Sequence, residues 1–250
     1  YPDDQNLKLI NTIEEKIDSL KLTGLDNLII HKFDKVFSRL KSVNFIRDIL
    51  VDKLNMNYMI VGFDHQFGKN REGSFEDLIQ FSNLYDFKIE KIEAQLVEGI
   101  SISSTKIRKA IQAGQIVKAN SYLSSTYSIT ASVIKGNNIG SSIGFPTANL
   151  DVSNRWKIVP KNGVYFVSVL VQNRKYFGML NLGSRPTIAD STFVIEVHLF
   201  DFNKQIYNET LKVSFLKRIR SEKKFLDLSK LQLQLKTDEI ECRSLIDNFC

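Results

Sequence analysis

The hydrophobic period of the chain changes once, between residues 120 and 127. Before that point, apolar residues recur either at helical spacing or as short continuous runs. TIEEKIDSLKLTG predicts a helix closed by Gly24. VNFIRDILVDKL predicts a second, capped by Ser42, with Phe45 and Ile49 on one face. Ser74 is placed to cap a third, FEDLIQFSNLYDF. Between these, LDNLIIHKF, MNYMIVGF and FKIEKIEAQLV read as strands, the middle one buried. Such alternation predicts a parallel sheet with crossover helices. From Tyr127 the period is two. YSITASVIKG, GVYFVSVLVQ, RKYFGMLNLG, FVIEVHLFDF and TLKVSFLKRI are strand candidates separated by turn residues, which predicts an antiparallel barrel or sandwich. FLDLSKLQLQLKTDEIECRSLIDNF predicts a helix, capped near Asp227 or Ser229, that lies over the barrel. SYLSST interrupts both patterns, so domains of 1–122 and 123–250 are expected.

Composition narrows the classes. The 250 residues are 43% hydrophobic and 25% charged, which is globular. No apolar run is long enough to span a bilayer. The opening YPDDQNLKL has neither the basic nor the apolar part of a secretory signal. Cys242 and Cys250 have no metal-ligand spacing, and the three histidines are scattered, so a zinc site is not expected. Two cysteines and no signal fit a reducing cytoplasm. The net charge of +6 fits nucleic acid or phosphate ligands. No block of five like charges stands out, and no strand interleaves basic with aromatic residues. Neither nucleic acid nor a membrane is therefore an expected partner.

Four stretches can carry chemistry. In GNNIGSSIGFPTANL, Gly136, Gly140 and Gly144 permit close backbone approach and positive φ, and converging amides hold phosphate oxygens. Thr147 and Asn149 offer the hard oxygen ligands that Mg²⁺ takes beside nucleotide phosphates. A hairpin whose Thr and Asn make only turn hydrogen bonds fits the same composition. Glu196 lies in the otherwise apolar FVIEVHLFDF and shares a strand face with Val194, His198 and Phe200. It is placed either to accept a substrate proton or to face solvent; His198 reads as structural. In ISSTKIRKAIQAG, Ser103 or Ser104 caps a helix that opens with Thr105, Lys106 and Arg108. That start suits phosphate, or ordinary capping with solvated cations. VGFDHQFGKNREG follows a strand and carries Gly62, Asp64, Gly68, Arg71 and Gly73, where open α/β sheets bind ligands; a long connecting loop is the alternative.

Taken together, these stretches resemble the bacterial bifunctional riboflavin kinase/FAD synthetase family. GFPTANL with its preceding glycine loop is similar to the family's kinase signature, and GVYFVSV, GMLNLGSRPT and EVHLFDFNKQIYNETLKVSFLKRIRSEKKF follow in order. VGFDHQFGKNREG and ISSTKIR resemble two motifs of its adenylylating half, although Asp64-His65 stands where many relatives carry Asp-Phe. The resemblance implies a Rossmann-like α/β nucleotidyltransferase domain, then a six-stranded antiparallel barrel with a trailing helix. It implies riboflavin, FMN, FAD and ATP/ADP as ligands, with Mg²⁺ and ATP phosphates held at Thr147 and Asn149. Glu196 is implied as the base that deprotonates the ribityl 5′-hydroxyl. Asn181, Arg185 and Arg218 join Gly62, Asp64 and Arg71 as flavin or adenylylation candidates. The family's adenylylating half opens with a strand and a Gly- and His-bearing loop. The sequence opens at YPDDQNL, so that half is expected to be N-terminally incomplete.

Overall fold

Thr12 starts the first helix through a reciprocal cap. Its hydroxyl accepts from the Glu15 amide at 3.3 Å, and the Glu15 carboxylate accepts from the Thr12 amide at 3.0 Å. Helix α1 (Ile13–Lys21) follows, and Gly24 turns the chain at φ 75°. The computed structural model describes residues 8–94, 96–97, 99–136, 139–186 and 191–249. The chain divides into two compact units, Leu25–Ile102 and the combination of Tyr1–Gly24 with Ser103–Cys250. The change of hydrophobic period near residue 120 falls within the second of these.

In the unit Leu25–Ile102, the run 25–33 is irregular rather than a strand. Leu25, Leu28, Ile29, Ile30 and Phe33 are exposed, so apolar content here is not matched by ladder pairing. Lys41, not Ser42, is the residue preceding α2 (Ser42–Asn44), and Ser42 instead donates its amide to Glu72 at 3.0 Å. The helix continues with π geometry over Phe45–Val51. Strand β1 (Tyr58–Gly62) and α3 (Phe75–Tyr85) lead to β2 (Lys88–Ile92), which pairs with β1 in parallel. The expected crossover is therefore present, with Ser74 capping α3 in a box with Asp77. The expected burial of β1 is not found: Val61 is its buried residue, because the sheet has two strands and packs one face on Ile46, Phe67, Leu78 and Phe87. A short hairpin, β3 (Leu96–Val97) with β4 (Ile100–Ser101), ends this unit.

The other unit holds the barrel. Helices α4 (Ser104–Gln112) and α5 (Ile116–Leu123) precede β5 (Ser128–Ile134), the one-turn α6 (Ile139–Ser142) and β6 (Ala148–Asp151). Then come β7 (Gly163–Val171), β8 (Arg174–Pro186), β9 (Ser191–Leu199), β10 (Thr210–Arg220) and α7 (Leu228–Ser244). The six strands close as β10-β5-β6-β9-β8-β7, every pairing antiparallel. All five strand candidates of this half are present, and β6 is the sixth. One face of β9 buries Ile195, Val197 and Leu199, while Val194, Glu196 and His198 stand half-buried on the other. A second apolar layer, with Phe145, Val164, Phe166, Met179, Phe200, Leu216 and Cys242, lies beneath Leu235 and Leu245.

Asp227 caps α7, accepting from the Lys230 amide at 2.8 Å. Arg220 grips Asp238 with Nε at 2.9 Å and Nη2 at 2.7 Å, and Gln234 adds a bond of 2.9 Å to the same carboxylate. Asp238 is 2% exposed, so this bidentate pair fixes the helix against β10. Burial pushes the neighbouring Cys242 thiol up to about 12, helped by Asp238, which makes it an inert packing residue.

Residues 8–24 form a strap on the barrel. Leu9 bridges Lys157, whose ammonium reaches the Glu15 carboxylate at 2.5 Å and the Ile10 carbonyl at 2.6 Å. That ammonium also lies 4.6 Å from the centre of the Tyr127 ring. Glu15 accepts from the Thr130 amide at 3.1 Å as well, so one carboxylate joins α1, β5 and Lys157. Desolvation holds Lys157 below the ordinary lysine value, and Glu15 draws it part of the way back.

Candidate functional site

Three polar side chains are aligned across β6, β9 and β8. Asn149 stands opposite Glu196, and Glu196 opposite Asn181. Residues directly opposite in an antiparallel ladder share a face. That face is the half-buried one of β9, where Glu196 and Asn181 border a cavity of about 280 Å³. Thr147, His198, Arg220 and Gly140 contribute to its wall, and Phe145, Met179, Leu231 and Leu235 make it largely apolar.

The glycine loop is shaped mainly by sterics. Gly140 accepts from the Phe145 amide at 2.8 Å, and a Cβ on it would meet the Phe145 carbonyl at 2.3 Å and the Thr147 hydroxyl at 3.3 Å. A Cβ on Gly136 would meet the Asn149 amide nitrogen at 1.9 Å. Gly144 alone among the three takes positive φ, at 84°. The expectation of positive φ at Gly136 and Gly140 is thus corrected: their lack of a side chain makes room for Asn149 and for the turn ahead of Thr147. Gln232 of α7 donates to the Ile143 carbonyl at 2.9 Å, tying the loop to the trailing helix. Asn149 is 9% exposed, packs against Gly136 and does not line the cavity.

Other sequence candidates fall elsewhere. Arg218 donates to the Asn162 carbonyl at 2.6 Å and packs on Gly114 and Gly163, outside this cavity; Arg220, not singled out in the sequence, reaches it. Arg185 aligns with Thr192 in the backbone ladder, and its side chain lies outside the described residues. Ser103 caps α4, accepting from the Lys106 amide at 3.4 Å, with Ser104 and Thr105 exposed in the first turn. Arg108 is committed within its unit, donating to the Lys8 carbonyl at 2.7 Å. In the unit Leu25–Ile102, Asp64, Arg71 and Lys91 meet around a polar hollow of about 330 Å³, and Gly62 ends the strand leading to it. Asn70 and Arg71 turn there through φ 56° and 60°.

Among the described residues, no three His, Cys, Asp or Glu side chains converge as for a metal. The side-chain oxygens lining the cavity are instead the Thr147 hydroxyl, the Asn181 amide and the Glu196 and Glu222 carboxylates. That donor set suits a hard ion such as Mg²⁺, which keeps most of its ligands from phosphate and water.

A riboflavin kinase family profile matches residues 123–246, and an FAD synthetase profile matches residues 1–106. The bifunctional riboflavin kinase/FMN adenylyltransferase of Buchnera aphidicola is 38% identical over 235 residues, covering 92% of this chain and 75% of that protein. The Bacillus subtilis protein of the same name is 35% identical over 249 residues, with 96% and 76% covered. A crystal structure described as a macrolide-efflux protein from Streptococcus pneumoniae has a TM-score of 0.86 at 34% identity, covering 96% of this chain and 77% of that one. The chain belongs to the bifunctional riboflavin kinase/FMN adenylyltransferase family.

Proposed function

We propose that the cavity between barrel and trailing helix is where riboflavin is phosphorylated, with Glu196 as base and with Thr147 and Asn149 as the phosphate-side ligands. The enzyme acts in flavin cofactor biosynthesis, with riboflavin, FMN, FAD and ATP/ADP as its ligands. The observation that carries the residue assignment is the ladder line Asn149–Glu196–Asn181, in which Glu196 and Asn181 border the cavity together with Thr147, and the buried Asn149 stands next to Glu196 on β6. The apolar wall of Phe145, Met179, Leu231 and Leu235 suits a flavin ring. Glu196 accepts the proton of the ribityl hydroxyl as its oxygen attacks the γ-phosphorus. The bond to the bridging oxygen breaks, and ADP leaves. Such transfer needs positioning and charge neutralisation more than covalent help. Mg²⁺, held by Thr147 and Asn149, would supply that neutralisation. The hollow at Asp64 and Arg71 and the hydroxyl-bearing start of α4 are the corresponding candidates for FMN adenylylation. Two cysteines, Cys242 being buried, support a cytoplasmic setting.

Chromatography of FMN formed from riboflavin and MgATP tests the kinase reading, and absence of FMN would overturn it. Thr147→Ala should weaken MgADP binding about tenfold, the scale of one charge-assisted contact. Calorimetry checks this, and unchanged affinity would remove Thr147 from the site.

A further inference from the structure

We infer that His198 is a positioning residue for the nucleotide side of the site, acting through the Pro146 carbonyl. The inference rests on the reading of Thr147 above. His198 Nδ1 lies 2.7 Å from the Pro146 oxygen. A carbonyl oxygen can only accept, so Nδ1 carries the proton and the tautomer is fixed. Pro146 O belongs to the same peptide plane as the Thr147 amide, so the bond orients the residue that begins the Thr147–Asn149 stretch. The ring is held for this task. It meets Phe145 edge-on at 5.4 Å and Phe200 at 5.9 Å, and it borders the 280 Å³ cavity.

The remainder of the loop explains why an outside holder is needed. Gly140 accepts from the Phe145 amide at 2.8 Å, and α7 fixes the Ile143 carbonyl at 2.9 Å. Those bonds end before the proline. Pro146 has no N–H, so its carbonyl is its sole backbone hydrogen-bonding group. His198 takes that group and stands two residues from Glu196 on the same face of β9. One strand therefore sets both partners of the transfer: the base for the hydroxyl, through Glu196, and the turn leading to the phosphate ligands, through His198.

The test uses His198→Phe, His198→Asn and His198→Gln in the full chain. Phe keeps an aromatic ring and removes the donor. Asn places an amide N–H near the position of Nδ1. Gln carries its amide one bond further out. His198→Phe should raise the KM for ATP and the Kd for MgADP about tenfold, clearly more than it changes the riboflavin KM, which the exchange at the cavity wall also moves. His198→Asn should recover much of that loss, and His198→Gln less. If His198→Phe fails to fold, the Asn–Gln difference decides. The inference is overturned if His198→Phe binds MgADP like the parent. It is also overturned if Asn and Gln are equally impaired, or if the riboflavin and ATP constants move together. Thr147→Ala measured alongside separates the cases. Weakened MgADP binding there with an unaffected His198→Phe removes His198 and keeps the site; unchanged binding in Thr147→Ala removes the site reading itself.

Discussion

Glu196→Gln should reduce FMN formation by at least about a hundredfold while leaving MgADP affinity close to the parent's. Transfer of a proton to a positioned base commonly contributes 10² to 10⁴ in rate. The substitution keeps the side chain's volume and hydrogen-bonding length but removes its ability to take a proton. Its neighbours Asn149 and Asn181 in the ladder are amides, and an amide at 196 can still be accommodated between them. The expected signature is a fall in kcat with little change in thermal midpoint. Steady-state assay and a melting curve on the same preparation check it. Undiminished turnover would take Glu196 out of the mechanism, and a collapse of the melting temperature would recast it as a structural residue.

The largest expected effect on stability is at Glu15. Lys157 has a side chain 1% exposed, and Glu15 supplies the counter-charge at 2.5 Å. Removing one partner of a buried pair costs about 3 kcal/mol or more, because the remaining charge is left uncompensated. Glu15→Gln removes the charge and keeps the side chain's length; its single amide oxygen can accept from the Thr130 or the Thr12 amide but not both, so one backbone bond is lost with the ion pair. The pH dependence has a definite sign. Burial already holds the folded-state value of Lys157 below its ordinary 10.5, and losing Glu15 lowers it further. The unfolded chain then binds more protons, so stability rises with pH between the folded and unfolded values. The deficit of Glu15→Gln should be greatest near neutrality and shrink as the pH climbs toward 10.5. Urea unfolding at pH 7 and in the alkaline range would show it. A deficit that is absent, or that grows with pH, would contradict this account of the pair.

The barrel was the most legible part of the sequence, because a wall with two unlike faces writes a period of two into each strand. The strand β6 escaped that reading. It has four residues, too few for a period, and follows directly on a proline and a glycine loop. The role of Gly136 was also hidden, since it depends on a side chain thirteen positions away that only the fold brings to 1.9 Å from its missing Cβ. Arg218 and Arg220 show a different limit. Strand β10 shifts register between Phe215 and Lys217 and again between Arg218 and Arg220. Each irregularity breaks the alternation from which a face would be assigned, so parity could not tell which arginine meets the cavity. In the first half, the run 25–33 had the composition of a strand but not the neighbour that makes one. Motif order made Glu196, Thr147 and Asn181 legible, and the cavity brings them together.

The strap has a practical corollary for anyone wishing to work with the kinase half by itself. Cutting at residue 123, where the riboflavin kinase match begins, severs Glu15 from Lys157. It also discards Asn120, whose side chain clasps the Phe215 carbonyl at 2.9 Å and the Tyr127 amide at 2.8 Å. Such a fragment would expose an orphaned ammonium and a loosened first strand, and should melt well below the parent. Glu15 and Lys157 belong to one compact unit although the stretch Leu25–Ile102 separates them along the sequence, so the family boundary at residue 123 is not the edge of the barrel's own folding unit.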